Sequence, residues 1–227
     1  MSAHPLDRPV WSAFTGRQAD LALSGGGALR VHPDFGLFAA LADDSAQTLT
    51  DLGALVAAYG EVGLVELSAA PAIPGTRVVS SAVCWQMTAE TITPPQAAPF
   101  EIVALTDADG PEMLALATLT KPGPFFTRTH QMGAFVGVRV DGRLAAMAGE
   151  RMRPEGFTEV SGVCTHPDHR GKGYAARLMQ HVAGRILDSG ETPFLHSYAS
   201  NAGANRLYES LGFRLRREVV FTVLARA

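Results

Sequence analysis

Only two cysteines, Cys84 and Cys164, occur in the 227 residues. Two thiols cannot build a disulfide framework or a four-cysteine zinc site, and no metal is expected. No stretch approaches the ~20 apolar residues of a membrane-spanning helix. Met1–Phe14 lacks the basic region and apolar core of a secretory signal, so a cytoplasmic setting with no membrane partner is expected. Lysine is nearly missing, with Lys121 and Lys172 the only two. Nineteen Lys plus Arg stand against 22 Asp plus Glu, a formal net charge of −3. That balance excludes a nucleic-acid partner held by bulk phosphate attraction, and leaves room for a local basic pocket. No internal repeat, low-complexity tract or heptad pattern is found. What is present, 47% apolar and 18% charged residues, is the composition of a globular chain. Its length suits one large domain or two small ones.

The clearest seam is Thr93–Pro99, where Pro94, Pro95 and Pro99 interrupt helix and central strand alike. A boundary near residue 97 divides the chain into a smaller N-terminal α/β domain, 1–97, and a second domain, 98–227. Upstream, helices are expected over Asp34–Ala42 and Thr48–Tyr59. In the second, Leu52, Leu55, Val56 and Tyr59 fall at i, i+3, i+4 and i+7. Val62–Leu67 and Arg77–Met87 read as strands. Ser24-Gly25-Gly26-Gly27 lacks the Lys-Ser/Thr of a phosphate loop and reads as a turn between two strands.

Downstream, the pattern predicts a strand over Phe100–Leu105 and a helix over Asp107–Thr120. Strands Gly133–Val140, Leu144–Met152 and Phe157–Thr165 follow, the first two joined by Asp141-Gly142. A helix over Gly173–Ser189, a strand Phe194–Tyr198, a helix Ala202–Leu211 and a strand Arg217–Leu224 close the chain. That order makes a mixed α/β sheet with helices on both faces. The last strand is expected to offer an exposed edge, which would suit a homodimer.

Cys164 to Ala175 is the most informative stretch: a strand ends, a loop passes through Gly171 and Gly173, and an amphipathic helix begins. Such a turn points several backbone N–H groups into one concavity, where the helix start adds partial positive charge. An anion site results, best suited to a pyrophosphate. Glycine lets the backbone come close and adopt unusual dihedrals. Arg170 and Lys172 add charge at the rim. The competing interpretation is an ordinary glycine-containing helix start.

Arg170-Gly171-Lys172-Gly173-Tyr174-Ala175 resembles the Arg/Gln-x-x-Gly-x-Gly/Ala signature of the GNAT superfamily, the GCN5-related N-acetyltransferases. Asn201 to Phe213 resembles the family's Asn-x-x-Ala-x-x-x-Tyr-x-x-x-Gly-Phe block. The two lie in the family's order, and the closest resemblance is to its FR47-like branch. It covers residues 100–224; a degenerate GNAT-like half is expected upstream. The resemblance implies acyl transfer from acetyl-CoA to a primary amine, on a small molecule or a peptide N-terminus. Arg170, Gly171, Lys172, Gly173, Tyr174 and Ala175 would hold the CoA pyrophosphate. The strand segment Val163, Cys164 and Thr165 would meet the pantetheine arm, through backbone groups of Val163 and Thr165. The same likeness puts Asn201 and Ala204 at the cofactor and makes Tyr208 the donor of a proton to the departing thiolate.

The chemistry of thioester aminolysis asks for the same parts. An amine of pKa about 10 must shed a proton at neutral pH, and the thiolate benefits from a nearby acid. A phenol stays protonated at pH 7; for Tyr208 the competing role is helix-face packing. Glu159, in the strand before the loop, is the candidate base, its pKa raised by desolvation; a solvent-facing or salt-bridged strand residue is the competing role. His130, His196 and a water chain are the other routes for the proton. His166, Asp168 and His169 cluster, and a solvated loop accounts for them better than a metal. Cys164 fits a neutral core thiol. Phe125, Phe126 and His130 lie in a loop that could line the acceptor site, although an apolar anchor suits the phenylalanines. A different acyl-CoA, an amino-acid acceptor, or a non-catalytic acyl-CoA sensor are the alternatives.

Overall fold

The structure, a computed structural model, describes residues 4–95 and 99–227; the boundary placed near residue 97 falls outside them. The elements run in the order α1 (Pro9–Thr15), β1 (Ala22–Gly25), β2 (Ala28–Val31), β3 (Phe38–Leu41), α2 (Ala46–Tyr59), β4 (Val62–Glu66) and β5 (Thr76–Thr88). Then come β6 (Val103–Leu105), α3 (Gly110–Thr120), β7 (Phe135–Val140), β8 (Arg143–Glu150), β9 (Phe157–Thr165), α4 (Tyr174–Asp188), β10 (Thr192–Tyr198), α5 (Ala202–Leu211) and β11 (Arg214–Arg226). Among the described residues, eleven strands form one mixed sheet in the order β1-β2-β3-β4-β11-β5-β10-β9-β8-β7-β6.

Helices cover both faces. The stripe Leu178, Met179, Val182 and Ile186 of α4 is buried with Val136, Val138 and Ala148 on one face. On the other face Met113, Leu116 and Ala117 of α3 pack with Phe135, Leu144, Met147 and Cys164. Neighbouring strand residues such as Phe135 and Val136 divide between the two clusters, as the strand period of two requires.

Two expectations from the sequence are corrected, and one helix was missed. Asp34–Ala42 is not a helix: its apolar part is β3, whose four residues are buried and which pairs in parallel with β4, Phe38 opposite Gly63. A short apolar run covered on both faces has no readable period. The helix α1 escaped notice; it has only seven residues, started by Pro9 and buried through Val10, Ala13 and Phe14. The C-terminal strand is no exposed edge. β11 lies between β4 and β5 and pairs antiparallel with both, because Val220–Leu224 matches Val62–Glu66 on one side and the length of β5 on the other. The Gly-rich stretch is the expected turn: Gly25 faces Ala28 across a two-residue hairpin, Gly26 has φ +57°, and Gly27 N–H donates to the Asp51 carboxylate at 2.8 Å.

β5 and β11 place the stretches before and after residue 97 in the same sheet. Thr88–Cys84 of β5 pairs with Phe194–Tyr198 of β10, and the other edge of β5 pairs with β11 along twelve residue pairs. The N-terminal stretch thereby reaches the centre of the fold.

Candidate active site

β9 and β10 run parallel but pair only where Phe157–Glu159 faces Thr192–Phe194. Beyond that point they part, and the sheet opens. A bulge drives part of this. The register between β8 and β9 slips between Met147/Cys164 and Gly149/Ser161, with Gly162 at φ +65° in the slip. A Cβ on Gly162 would stand 2.8 Å from the Phe135 ring. Cys164 pairs with Met147, and His166 N–H donates to Ala145 O at 2.8 Å. Alternation along the ladder then turns the backbone polar groups of Cys164 toward β8 and those of Val163 and Thr165 toward the opening.

Two concavities lie along this line. The first is a shallow cradle formed by Thr165, Arg170–Ala176 and Leu207. Gly171 and Gly173 have φ +76° and +77°, Gly173 being the N-cap of α4. Among the described residues, no partner accepts from the N–H groups of Gly171 through Ala176. An array of free N–H groups at a helix start fits a pyrophosphate. The imidazoles nearby serve the loop: His166 Nδ1 accepts from Asp168 N at 3.3 Å, and His169 Nδ1 lies 3.1 Å from Lys172 Nζ. Among the described residues no group of His, Cys, Asp or Glu is arranged to hold a metal.

The second is a cleft, open at its mouth. Val163, Asn201 and Tyr208 line it on the side of the cradle; Phe38, Val65, Arg151, His196 and Phe221 line it farther along. The Tyr208 hydroxyl has no hydrogen-bond partner among the described residues, and burial raises its pKa above the usual phenol value. Asn201 caps α5, its side chain accepting from Ala204 N at 3.3 Å. Asn205, buried in the same motif, fixes the turn into α5 through Nδ2 bonds to Tyr198 O at 3.2 Å and Ala199 O at 3.3 Å. Cys164 and Ala204 line neither concavity. The Cys164 thiol packs on the α3 face, its pKa pushed up to about 11 by burial.

Beneath the cleft lies a polar chain. Glu159 is fully buried. Its carboxylate accepts Arg151 Nε–H at 2.9 Å and Nη2–H at 3.0 Å, and its Oε1 lies 2.9 Å from His196 Nδ1. The pKa rise expected for Glu159 is corrected: desolvation is the largest influence and pushes upward, yet Arg151 and His196 together outweigh it and hold the carboxyl at about 2. Since the carboxylate only accepts, His196 carries its proton on Nδ1. Gln86 Nε2 lies 3.2 Å from His196 Nε2 and donates to Leu6 O at 2.8 Å. Arg216 donates to Gln86 Oε1 at 2.8 Å and to Asp7 Oδ1 at 2.6 Å. Arg151 also stacks over the Phe38 ring at 4.5 Å.

Phe38, Val65, Gln86, Arg151 and Phe221 were not foreseen. Four come from separate strands and Arg151 lies just past the end of β8, and they share no motif; the buried charge of Arg151 beside a strand glutamate is the one signal that could have drawn notice. Elsewhere, His130 packs against Gly110 near Asp107, Phe125 lies edge-on to Phe135 at 5.7 Å, and Phe125, Phe126 and His130 are all absent from the cleft lining.

Comparison with known proteins bears on this arrangement. A family model described as FR47-like protein matches residues 135–222. A GNAT-family protein of known structure from Novosphingobium aromaticivorans is 49% identical over 99% of this chain and 100% of its own, with a TM-score of 0.92. A GCN5-related N-acetyltransferase from Kribbella flavida shares the fold at 20% identity and a TM-score of 0.69, over 99% of this chain and 96% of its own. A GCN5-related N-acetyltransferase-like protein from Streptococcus suis does so at 14% identity and 0.57, over 96% and 92%. Among curated proteins none matches. No helix among the described residues is long and apolar enough to cross a membrane.

Proposed function

The chain belongs to the GNAT family of acetyltransferases, and on that premise we propose that it transfers an acetyl group from acetyl-CoA to a primary amine by direct attack. Acetyl-CoA supplies an activated thioester. The free N–H groups of Gly171–Ala176 would hold its pyrophosphate, with Arg170 and Lys172 at the rim. The open-side backbone of Val163 and Thr165 would bond the pantetheine arm. Asn201, whose Oδ1 is taken by Ala204 N, has its amide N–H groups left for the cofactor. Tyr208 would give its phenolic proton to the leaving sulfur; its raised pKa keeps that proton in place at neutral pH.

For the amine's own proton we favour water at the mouth of the cleft. Glu159 is ion-paired and held at about 2, so it is a feeble acceptor. His196 gives Nδ1–H to Glu159 and turns Nε2 to the Gln86 amide. We assign Glu159 the task of holding Arg151 and His196. We also propose that residues 1–97 complete the acceptor side, since Phe38, Val65 and Cys84 line the cleft.

The observation that carries this reading is the succession of the cradle, the unpaired stretch of β9 and the cleft holding Tyr208, with Thr165 lining the first and Val163 the last. Calorimetric titration with acetyl-CoA, followed by a thiol-release assay over an amine panel, tests it. Binding with release supports transfer. Binding without release for any amine favours an acyl-CoA sensor. Equal affinity for an acetyl-pantetheine that lacks the pyrophosphate would remove the cradle from the reading.

A further inference from the structure

We propose that the acceptor is an amino acid with an apolar side chain, its carboxylate seated on the unused fork of Arg151. This rests on the acetyl-transfer reading and names its substrate class. Among the described residues, Arg151 is the only Lys, Arg, Asp or Glu in the cleft lining. Its side chain is 10% exposed. A guanidinium has five N–H donors and two edges that match a carboxylate. Glu159 occupies the Nε/Nη2 edge, at 2.9 and 3.0 Å. Nη1 reaches only Pro124 O, at 3.5 Å. The Nη1/Nη2 edge therefore has no carboxylate on it, and stacking on Phe38 at 4.5 Å fixes its plane. Buried donors without a strong partner are costly to leave so, and a carboxylate satisfies both at once.

Charge narrows the choice. Arg151 and Glu159 cancel, so the cleft favours an acceptor that is neutral overall. A zwitterion meets that demand. A polyamine would find no carboxylate in the lining, because Glu159 lies sealed below it, and a dicarboxylate would find no second Lys or Arg. Beside the polar groups of Ser161, Ser197 and Asn201, the lining carries Phe38, Val65, Leu195 and Phe221, which suit an aliphatic or aromatic side chain.

The test compares matched acceptors on the whole protein: phenylalanine against phenethylamine, leucine against isopentylamine and leucinamide, with spermidine and glutamate alongside. Thiol release and the mass of the N-acetyl product are both read. The amino acids should exceed their carboxylate-free partners in kcat/KM by about tenfold or more. The double variant Arg151→Gln/Glu159→Gln removes both charges together and should bring each pair within about threefold, while acetyl-CoA affinity stays put. Equal or better turnover of the decarboxylated amines overturns the acceptor class and leaves acetyl transfer standing. So does bound acetyl-CoA with no product from any amino acid. Failure of acetyl-CoA to bind overturns the transfer reading itself. Should the double variant fail to fold, the wild-type pairs alone decide the acceptor class.

Discussion

The cradle and the cleft are neighbours built on opposite principles. The cradle is made of main chain from one short stretch, Thr165 to Ala176, and its recognition groups are peptide N–H bonds. The cleft is made mostly of side chains from β3, β4, β5, β9, β10, β11 and α5, with Arg151 just past the end of β8, supported underneath by a chain of polar contacts from Asp7 to Arg151. Backbone recognition tolerates most side-chain changes and fails when a dihedral is denied. Side-chain recognition fails when one partner in a buried network is removed. Substitutions in the two regions should therefore break different things.

The largest effect belongs under the cleft. Glu159→Gln leaves Arg151 buried without its counter-charge, which costs about 3–5 kcal/mol in comparable cases. A drop of several degrees or more in Tm checks it. The same ion pair makes a pH signature. The Glu159 carboxyl is depressed from 4.5 to about 2 in the folded state. Its contribution is thus fully present above about pH 4.5 and is lost as pH falls toward 2. Acid unfolding of the wild type should steepen in that window, and Glu159→Gln should flatten it; an identical acid limb in both would deny Glu159 its holding role.

Next comes Tyr208→Phe. Loss of a general acid lowers turnover by about a hundredfold, whereas the ring still packs edge-on to Phe213, 6.5 Å away. Acetyl-CoA affinity should change less than about twofold, since no binding bond is lost. Full turnover in the variant would return Tyr208 to a packing role.

How much was legible in the sequence follows from the same contrast. Phe157–Thr165 and Ala202–Leu211 were readable to the residue, because strand alternation and helix caps are local. Gly171 and Gly173 could be read as a cradle because a contiguous stretch encodes it. The insertion of β5 between β10 and β11 left no local mark, since strand order is set by pairing across a hundred residues. Glu159 was visible as an acid in a strand, and a salt bridge was one reading of it, but its partner Arg151 was not visible, so the expected sign of its pKa shift came out reversed. A charge can be read from the sequence; the charge beside it requires the fold.

Gly173→Ala probes the cradle at smaller scale. At φ +77° an added Cβ meets nothing within 4 Å, so the penalty is conformational. A left-handed alanine costs about 1–2 kcal/mol. Part of that falls on the loop geometry that aims the N–H groups. Acetyl-CoA should bind about three- to tenfold more weakly by calorimetry, with kcat little changed. A fall in kcat at unchanged affinity would tie the loop to the chemical step and blur the division of labour between the two regions.

The smallest effect separates peptide groups from side-chain charge within the cradle. Lys172 is exposed and reaches only the His169 ring, at 3.1 Å. An exposed charge acts on a bound pyrophosphate through a screened field, with a Debye length of about 8 Å at physiological salt. Lys172→Ala should therefore weaken acetyl-CoA binding only about two- to threefold at low salt, and the difference from wild type should shrink as salt is raised toward about 1 M. The Gly173→Ala deficit should persist across the same series, because a misaimed N–H bond is a matter of geometry rather than of ionic atmosphere. If both deficits vanish together with added salt, the cradle holds its ligand by rim charge and the peptide N–H array is secondary.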